Sequence, residues 1–217
     1  THIDDLTESL RVVTPTGTSE SRRLPGSGAG PSPDRLFLGS EGTLGVITEI
    51  RLRLHGIPEA ISSAVCPFPT IEDAVNTVIV TIQSGVPVAR IELLDELTMD
   101  ACIRYSKLEG YRAAPTLFFE FHGSEAHVAE QAETVRAIAR DYGGAEFQWT
   151  ARAEERSRLW QARHDAFWAT MALRPGAKGI VTDVCVPISR LAECIAATDM
   201  RGDLHINALV AALRSVF

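Results

Sequence analysis

From residue 60 onward the chain alternates strand-like with helix-like stretches, nearly all closed by glycine or proline, and this punctuated alternation most narrows the folds open to it. Residues 61–68 (ISSAVCPF) read as a strand. A helix follows at TIEDAVNTVIVTIQSG, with Thr70 placed to cap it, Asp73 three residues on in an approximate capping box, and Gly85 to end it. RIELLD (90–95) predicts a second strand, ELTMDACIRYSKLEG a second helix ended by Gly110, and PTLFFEFHG a third strand. Then come a long helix over 125–142 stopped by Gly143 and Gly144, a short strand at EFQW, a helix over 151–173, a strand at GIVTDVCVP and a helix opening at 188–190. Strands and helices interleaved in this way predict an α+β sandwich whose sheet is antiparallel or mixed and covered by helices on one face.

The first 58 residues read differently. Residues 15–34 hold Pro15, Pro25, Pro31 and Pro33 with Gly17, Gly26, Gly28 and Gly30, a density that predicts a loop without regular structure, and no helix N-terminus follows to make it a phosphate site. Beyond it, Ile47, Ile50, Leu52 and Leu54 nearly alternate with polar residues, the period of a half-buried strand. In the string GSEGTLGVIT, Gly39, Gly42 and Gly45 fall at every third position where the chain enters that strand. Without side chains there, an anionic group such as a pyrophosphate could approach the main-chain N–H groups; a tight hairpin entry explains the same glycines.

Charge and cysteine usage exclude several classes. Of 217 residues 28 are acidic and 21 basic, a formal charge of −7 that six protonated histidines could not reverse, which argues against non-specific nucleic-acid binding. A mean hydropathy of +0.04 with 45% hydrophobic residues argues against disorder. No run is apolar enough to span a bilayer, and the opening THIDDLTESLRVV lacks the pattern of a secretory leader. Cys66, Cys102, Cys185 and Cys194 form no C-x-x-C pair, so reduced buried thiols and a cytoplasmic location, with room for peripheral association with a membrane, are expected. A start without an initiator Met reads as a fragment.

GSEGTLGVIT followed by E-x-R-L-R-L resembles the signature that closes the flavin domain in the vanillyl-alcohol-oxidase superfamily, in its branch of FAD-linked 2-hydroxyacid dehydrogenases. PVARIELLDELTMDACIRYSK, AEERSRLWQARHDAFWA and KGIVTDVCVPISRL are similar to the substrate-cap domain of the cytochrome-type D-lactate dehydrogenase and glycolate oxidase subunit group. The resemblance implies the end of a PCMH-type FAD-binding domain over residues 1–58 and an incomplete α+β cap over 59–217, its sheet mixed but largely antiparallel. It further implies FAD, oxidation of a D-2-hydroxy acid such as D-lactate to the 2-oxo acid, and electrons leaving to a quinone, cytochrome or flavoprotein. The flavin-domain half that would supply most of the affinity has no counterpart here, so weak flavin binding or none is expected of the isolated chain. The alternative is a non-catalytic α+β module that pairs with a missing half or partner subunit.

By the same resemblance Ser40, Glu41, Gly42, Thr43, Gly45, Val46 and Ile47 lie against the flavin nucleotide. Arg163, in LWQAR, takes the place of a helical arginine that binds the substrate carboxylate, and Lys178 on the following loop is a second cation. The planar fork of arginine suits a carboxylate, which gives the assignment a chemical reason. Arg90 and Asp183 are expected to be structural, and Trp160, Phe167 and Trp168 to be core. Where the family has K-S-S-A-G-Y-D-L, this chain has Gly26 to Pro33, matching only at Ser27, Ala29 and Gly30. Its counterpart of the divalent-metal motif H-x-G-D-G-N-x-H keeps only His205 of the histidine pair, so no intact metal site is expected.

Overall fold

A computed structural model describes residues 3–22, 30–176, 178–179, 186–199 and 207–210, which fall into two compact units, 1–57 and 58–217.

In the first unit a single helical turn, α1 (Ile3–Leu6), leads into β1 (Thr7–Thr14), which pairs antiparallel with β2 (Gly17–Glu20). The prolines and glycines of 15–34 do not exclude regular structure as expected. Gly17 at φ +141° turns the chain, and β2 gains its ladder from β1 rather than from its own propensity. Another single turn, α2 (Asp34–Phe37), also unexpected, precedes β3 (Val46–Leu52), which pairs with the other edge of β1 in the order β2-β1-β3. β3 is the expected strand, but it is not half-buried: Val46 is 63% exposed, and Ile47, Ile50 and Leu52 are also open. Alternation shows which face a strand could bury, and burial needs a second layer.

The second unit is built on five antiparallel strands in the order β7-β4-β6-β5-β8. β4 (Ala60–Pro67) leads to α3 (Ile71–Gln83), where Thr70 accepts from the Asp73 N–H at 3.1 Å and donates its hydroxyl to the Asp73 carboxylate at 2.6 Å. β5 (Arg90–Leu94) leads to α4 (Glu96–Ser106), capped by Asp95 and closed by Lys107 at φ +50° rather than by Gly110. β6 (Thr116–Gly123) is followed by α5 (Glu125–Asp141), capped by Ser124. After β7 (Gln148–Thr150), the helix expected over 151–173 is two: α6 (Ala153–His164) and α7 (Ala166–Leu173). They part at Asp165, whose carboxylate accepts from Ser106 of α4 and Gln161 of α6. A 3-10 turn at Ile188–Arg190, α8 (Leu191–Asp199) and β8 (Asn207–Val210) complete the described elements; the strand expected at GIVTDVCVP and Asp183 lie largely or wholly outside them.

Helices cover this sheet on both faces, not one. Cys66, Ile91, Leu93, Leu117, Phe119 and Phe121 pack with α3, α5 and α8 on one side. Val65, Leu94 and Phe118 point the other way, toward Met99 and Cys102 of α4, Trp160 of α6 and Ala166 and Ala169 of α7. The run Leu117-Phe118-Phe119 is apolar at consecutive positions because each face of β6 has its own helical layer.

Candidate functional site

Period two along β5 puts Arg90, Glu92 and Leu94 on the α6 side of the sheet, and antiparallel register sets Arg90 directly opposite Glu120, itself opposite Ser63. The Arg90 guanidinium meets the Glu120 carboxylate at 2.8 Å and that of Glu92 at 3.8 Å. From α6, Trp160 and Arg163, three residues apart and so on one helix face, reach down to this rung. The Trp160 indole N–H donates to Ser63 Oγ at 3.1 Å, and the Arg90 Cζ lies 3.5 Å from the indole centroid. Arg163 Nε lies against Glu92 Oε2, forming an ion pair with the two side chains only 17% and 7% exposed. His122 Nε2 is 2.9 Å from the other oxygen of Glu120. The result is a largely buried set of two guanidiniums and two carboxylates, the arrangement in which buried charge is tolerated.

Acidic Glu154 and Glu155 open α6 and Arg163 and His164 close it, in the sense the helix dipole favours. Thr150 Oγ1 accepts from the Arg152 N–H and donates to Glu155, whose carboxyl is held below its usual range chiefly by that hydroxyl. Lys178 makes no hydrogen bond or ion pair with the Arg163 cluster: it is exposed on the chain beyond α7, beside Gly179, which packs closely on Met171 and Phe167. Trp160 is core as expected and Arg90 is in an ion pair as expected, whereas Trp168 is 61% exposed and Phe167 is also open. A cavity of about 250 Å³ lined by Tyr111, Phe118, Trp149, Arg158 and others opens on the same side of the sheet, but Arg163 does not line it. Cys66 and Cys102 are buried free thiols pushed up to about 12 and about 11, chiefly by burial, which removes both as nucleophiles.

In the first unit, residues 39–45 form an exposed turn ahead of β3. The Ser40 carbonyl accepts from the Thr43 N–H at 3.0 Å and from its hydroxyl at 2.7 Å. Gly39 and Gly42 have φ +80° and Glu41 has φ +50°, so three of four consecutive residues occupy the left-handed region. Gly45 is required for another reason: a Cβ there would stand 2.8 Å from Val12 Cγ1 and 2.9 Å from the Val13 carbonyl, inside β1. Among the described residues the N–H groups of Glu41 and Gly42 find no hydrogen-bond partner. The unpaired N–H groups offer donors to an anionic group, and Val46 and Ile47 follow as exposed strand residues.

Glu92, Glu120 and Ser63 were not singled out from sequence, although Glu92 and Glu120 interrupt the apolar runs IELL and FFEF. The metal-motif counterpart at His205 lies outside the described residues; among the described ones no group of three or more potential metal ligands converges.

Residues 57–213 match the family described as FAD linked oxidases, C-terminal domain. Over 204 residues the chain is 50% identical to "Probable D-lactate dehydrogenase, mitochondrial" of Danio rerio, covering 92% of this chain and 40% of that protein. It is 47% identical over 189 residues to "D-lactate dehydrogenase [cytochrome], mitochondrial" of Arabidopsis thaliana, covering 86% and 33%. The chain thus spans about two fifths or less of the length of these relatives. The fold matches the solved 4-ethylphenol oxidase from Gulosibacter chungangensis with a TM-score of 0.67 at 16% identity, over 92% of this chain and 47% of that one. The names of the relatives overturn the expectation of a cytoplasmic location, since both carry the word mitochondrial. Reduced thiols report a redox environment, not a compartment, and could not have distinguished the two.

Proposed function

We propose, for a chain that belongs to the C-terminal domain family of FAD linked oxidases, that it forms part of an enzyme oxidising a D-2-hydroxy acid, D-lactate first, to the 2-oxo acid. When bound, FAD would supply the acceptor for the hydride that leaves the hydroxyl-bearing carbon, the hydroxyl proton passing to a base or to solvent. Arg163 binds the substrate carboxylate through its fork. Lys178, exposed on the chain beyond α7, is the second cation offered to that carboxylate. Ser40, Glu41, Gly42, Thr43, Gly45, Val46 and Ile47 hold the nucleotide, with the Glu41 and Gly42 N–H groups as donors. Electrons then pass to a quinone, cytochrome or flavoprotein.

The observation that carries this reading is Arg163 itself: a guanidinium paired with Glu92 on a largely buried, charge-balanced rung, in a chain half identical to a protein named for D-lactate. The names of the relatives also support a mitochondrial location. Anaerobic mixing of the holoprotein with D-lactate tests the reading. Bleaching of the flavin's visible absorbance by D-lactate but not L-lactate is expected, and no bleaching by any 2-hydroxy acid would refute it.

A further inference from the structure

We infer that Glu92 is the positioning residue for Arg163, an inference that rests on the role just proposed for that arginine. Glu92 lies in the middle of β5 between Ile91 and Leu93, and a carboxylate buried there requires a counter-charge. Two guanidiniums meet it: Arg163, nearest at Nε to Oε2, and Arg90, nearest at Nη1 to Oε1, 3.8 Å away. Arg90 is itself pinned, by Glu120 at 2.8 Å and by the Trp160 ring 3.5 Å beneath its Cζ. The carboxylate is therefore braced from the sheet side, with Arg163 as its nearer partner.

Arg163 approaches Glu92 most closely at Nε, as an ion pair and not as an aligned hydrogen bond, and among the described residues Glu92 is the acidic side chain it pairs with. An arginine whose inner edge faces its counter-charge can offer its outer fork to a second carboxylate, which is what bidentate capture needs. With Arg90 and Arg163 balanced by Glu92 and Glu120, the cluster has no surplus positive charge to attract an anion. Affinity then resides in the aim of one fork, and Glu92 sets that aim.

The test is a double-mutant cycle in the holoenzyme, reading KM and kcat for D-lactate, flavin content and melting temperature. Glu92→Gln should raise KM about tenfold with kcat and flavin content nearly unchanged, and should add less than twofold in an Arg163→Lys background. An unchanged or lowered KM for E92Q while R163K raises it would overturn the inference, as would an equal effect of E92Q in both backgrounds. If R163K itself leaves KM unchanged, the proposed role of Arg163 fails and this inference falls with it. Glu92→Asp, which keeps the charge on a shorter arm, serves if E92Q does not fold; it should raise KM in the parent enzyme and not in R163K, and any other pattern overturns the inference.

Discussion

Replacing Trp160 by Phe probes the brace behind the site in a way that separates one hydrogen bond from general packing. The indole N–H donates to Ser63 Oγ at 3.1 Å in a place where Ser63 is 1% exposed, so no water can take over. Loss of the donor strands a buried hydroxyl, which costs about 1–3 kcal/mol. The smaller ring also weakens the contact with the Arg90 guanidinium, a further ~1 kcal/mol at a half-desolvated site. W160F should therefore destabilise the second unit by about 2–4 kcal/mol. Ser63→Ala strands the indole N–H instead and should cost about 1–3 kcal/mol. Because both variants break the same bond, the double variant should be less destabilised than the sum of the two by about 1–2 kcal/mol. Denaturant unfolding followed by circular dichroism measures all four proteins, with the slope checked for constancy. Strict additivity would refute the reasoning, since it would mean that the N–H and the hydroxyl do not act on each other.

At Gly42, where φ is +80° and a Cβ meets open space, Gly42→Ala should cost about 1–2 kcal/mol and Gly42→Asn less, because Asn tolerates the left-handed region. At Gly45, where a Cβ would stand 2.8 Å from Val12, the order should reverse: Ala costs about 1–3 kcal/mol and Asn more. Denaturant midpoints of the four variants check this, and the same size order at both sites would contradict it. Cys66 and Cys102 are raised in the folded state to about 12 and about 11 from 9.0, so the unfolded chain loses these protons first. Stability should accordingly be unaffected by them below pH 9 and fall as pH rises from there through the folded values; Cys66→Ala should flatten that alkaline slope in a pH series of unfolding curves.

Elements with local signals were legible. Thr70 announces α3 through its own hydroxyl and Asp73, and the Gly143–Gly144 pair stops α5 at Asp141. What was not legible depends on distant partners. The parting of α6 from α7 is set where Asp165 takes a hydrogen bond from Ser106, 59 residues away, while the local sequence remains helical on both sides. β2 exists because β1 offers it a ladder, and its own four residues, GTSE, carry no strand pattern. The second helical layer was foreshadowed by the doubly apolar run of β6, yet α4, α6 and α7 had to be placed before that run could be understood. Arg163 entered through resemblance alone. Its partner Glu92 is a lone charge in IELL, and only antiparallel pairing and the docking of α6 turn it from an interruption into an anchor.

Arg163→Lys in the holoenzyme tests the central claim most directly, because lysine keeps the positive charge that Glu92 requires while removing the planar fork together with its Nε. Loss of a charge-assisted hydrogen bond is worth about 1.5–3 kcal/mol, or roughly ten- to a hundredfold. KM for D-lactate should rise by about that factor with flavin content and melting temperature unchanged. An unchanged KM would mean that Arg163 does not hold the substrate carboxylate.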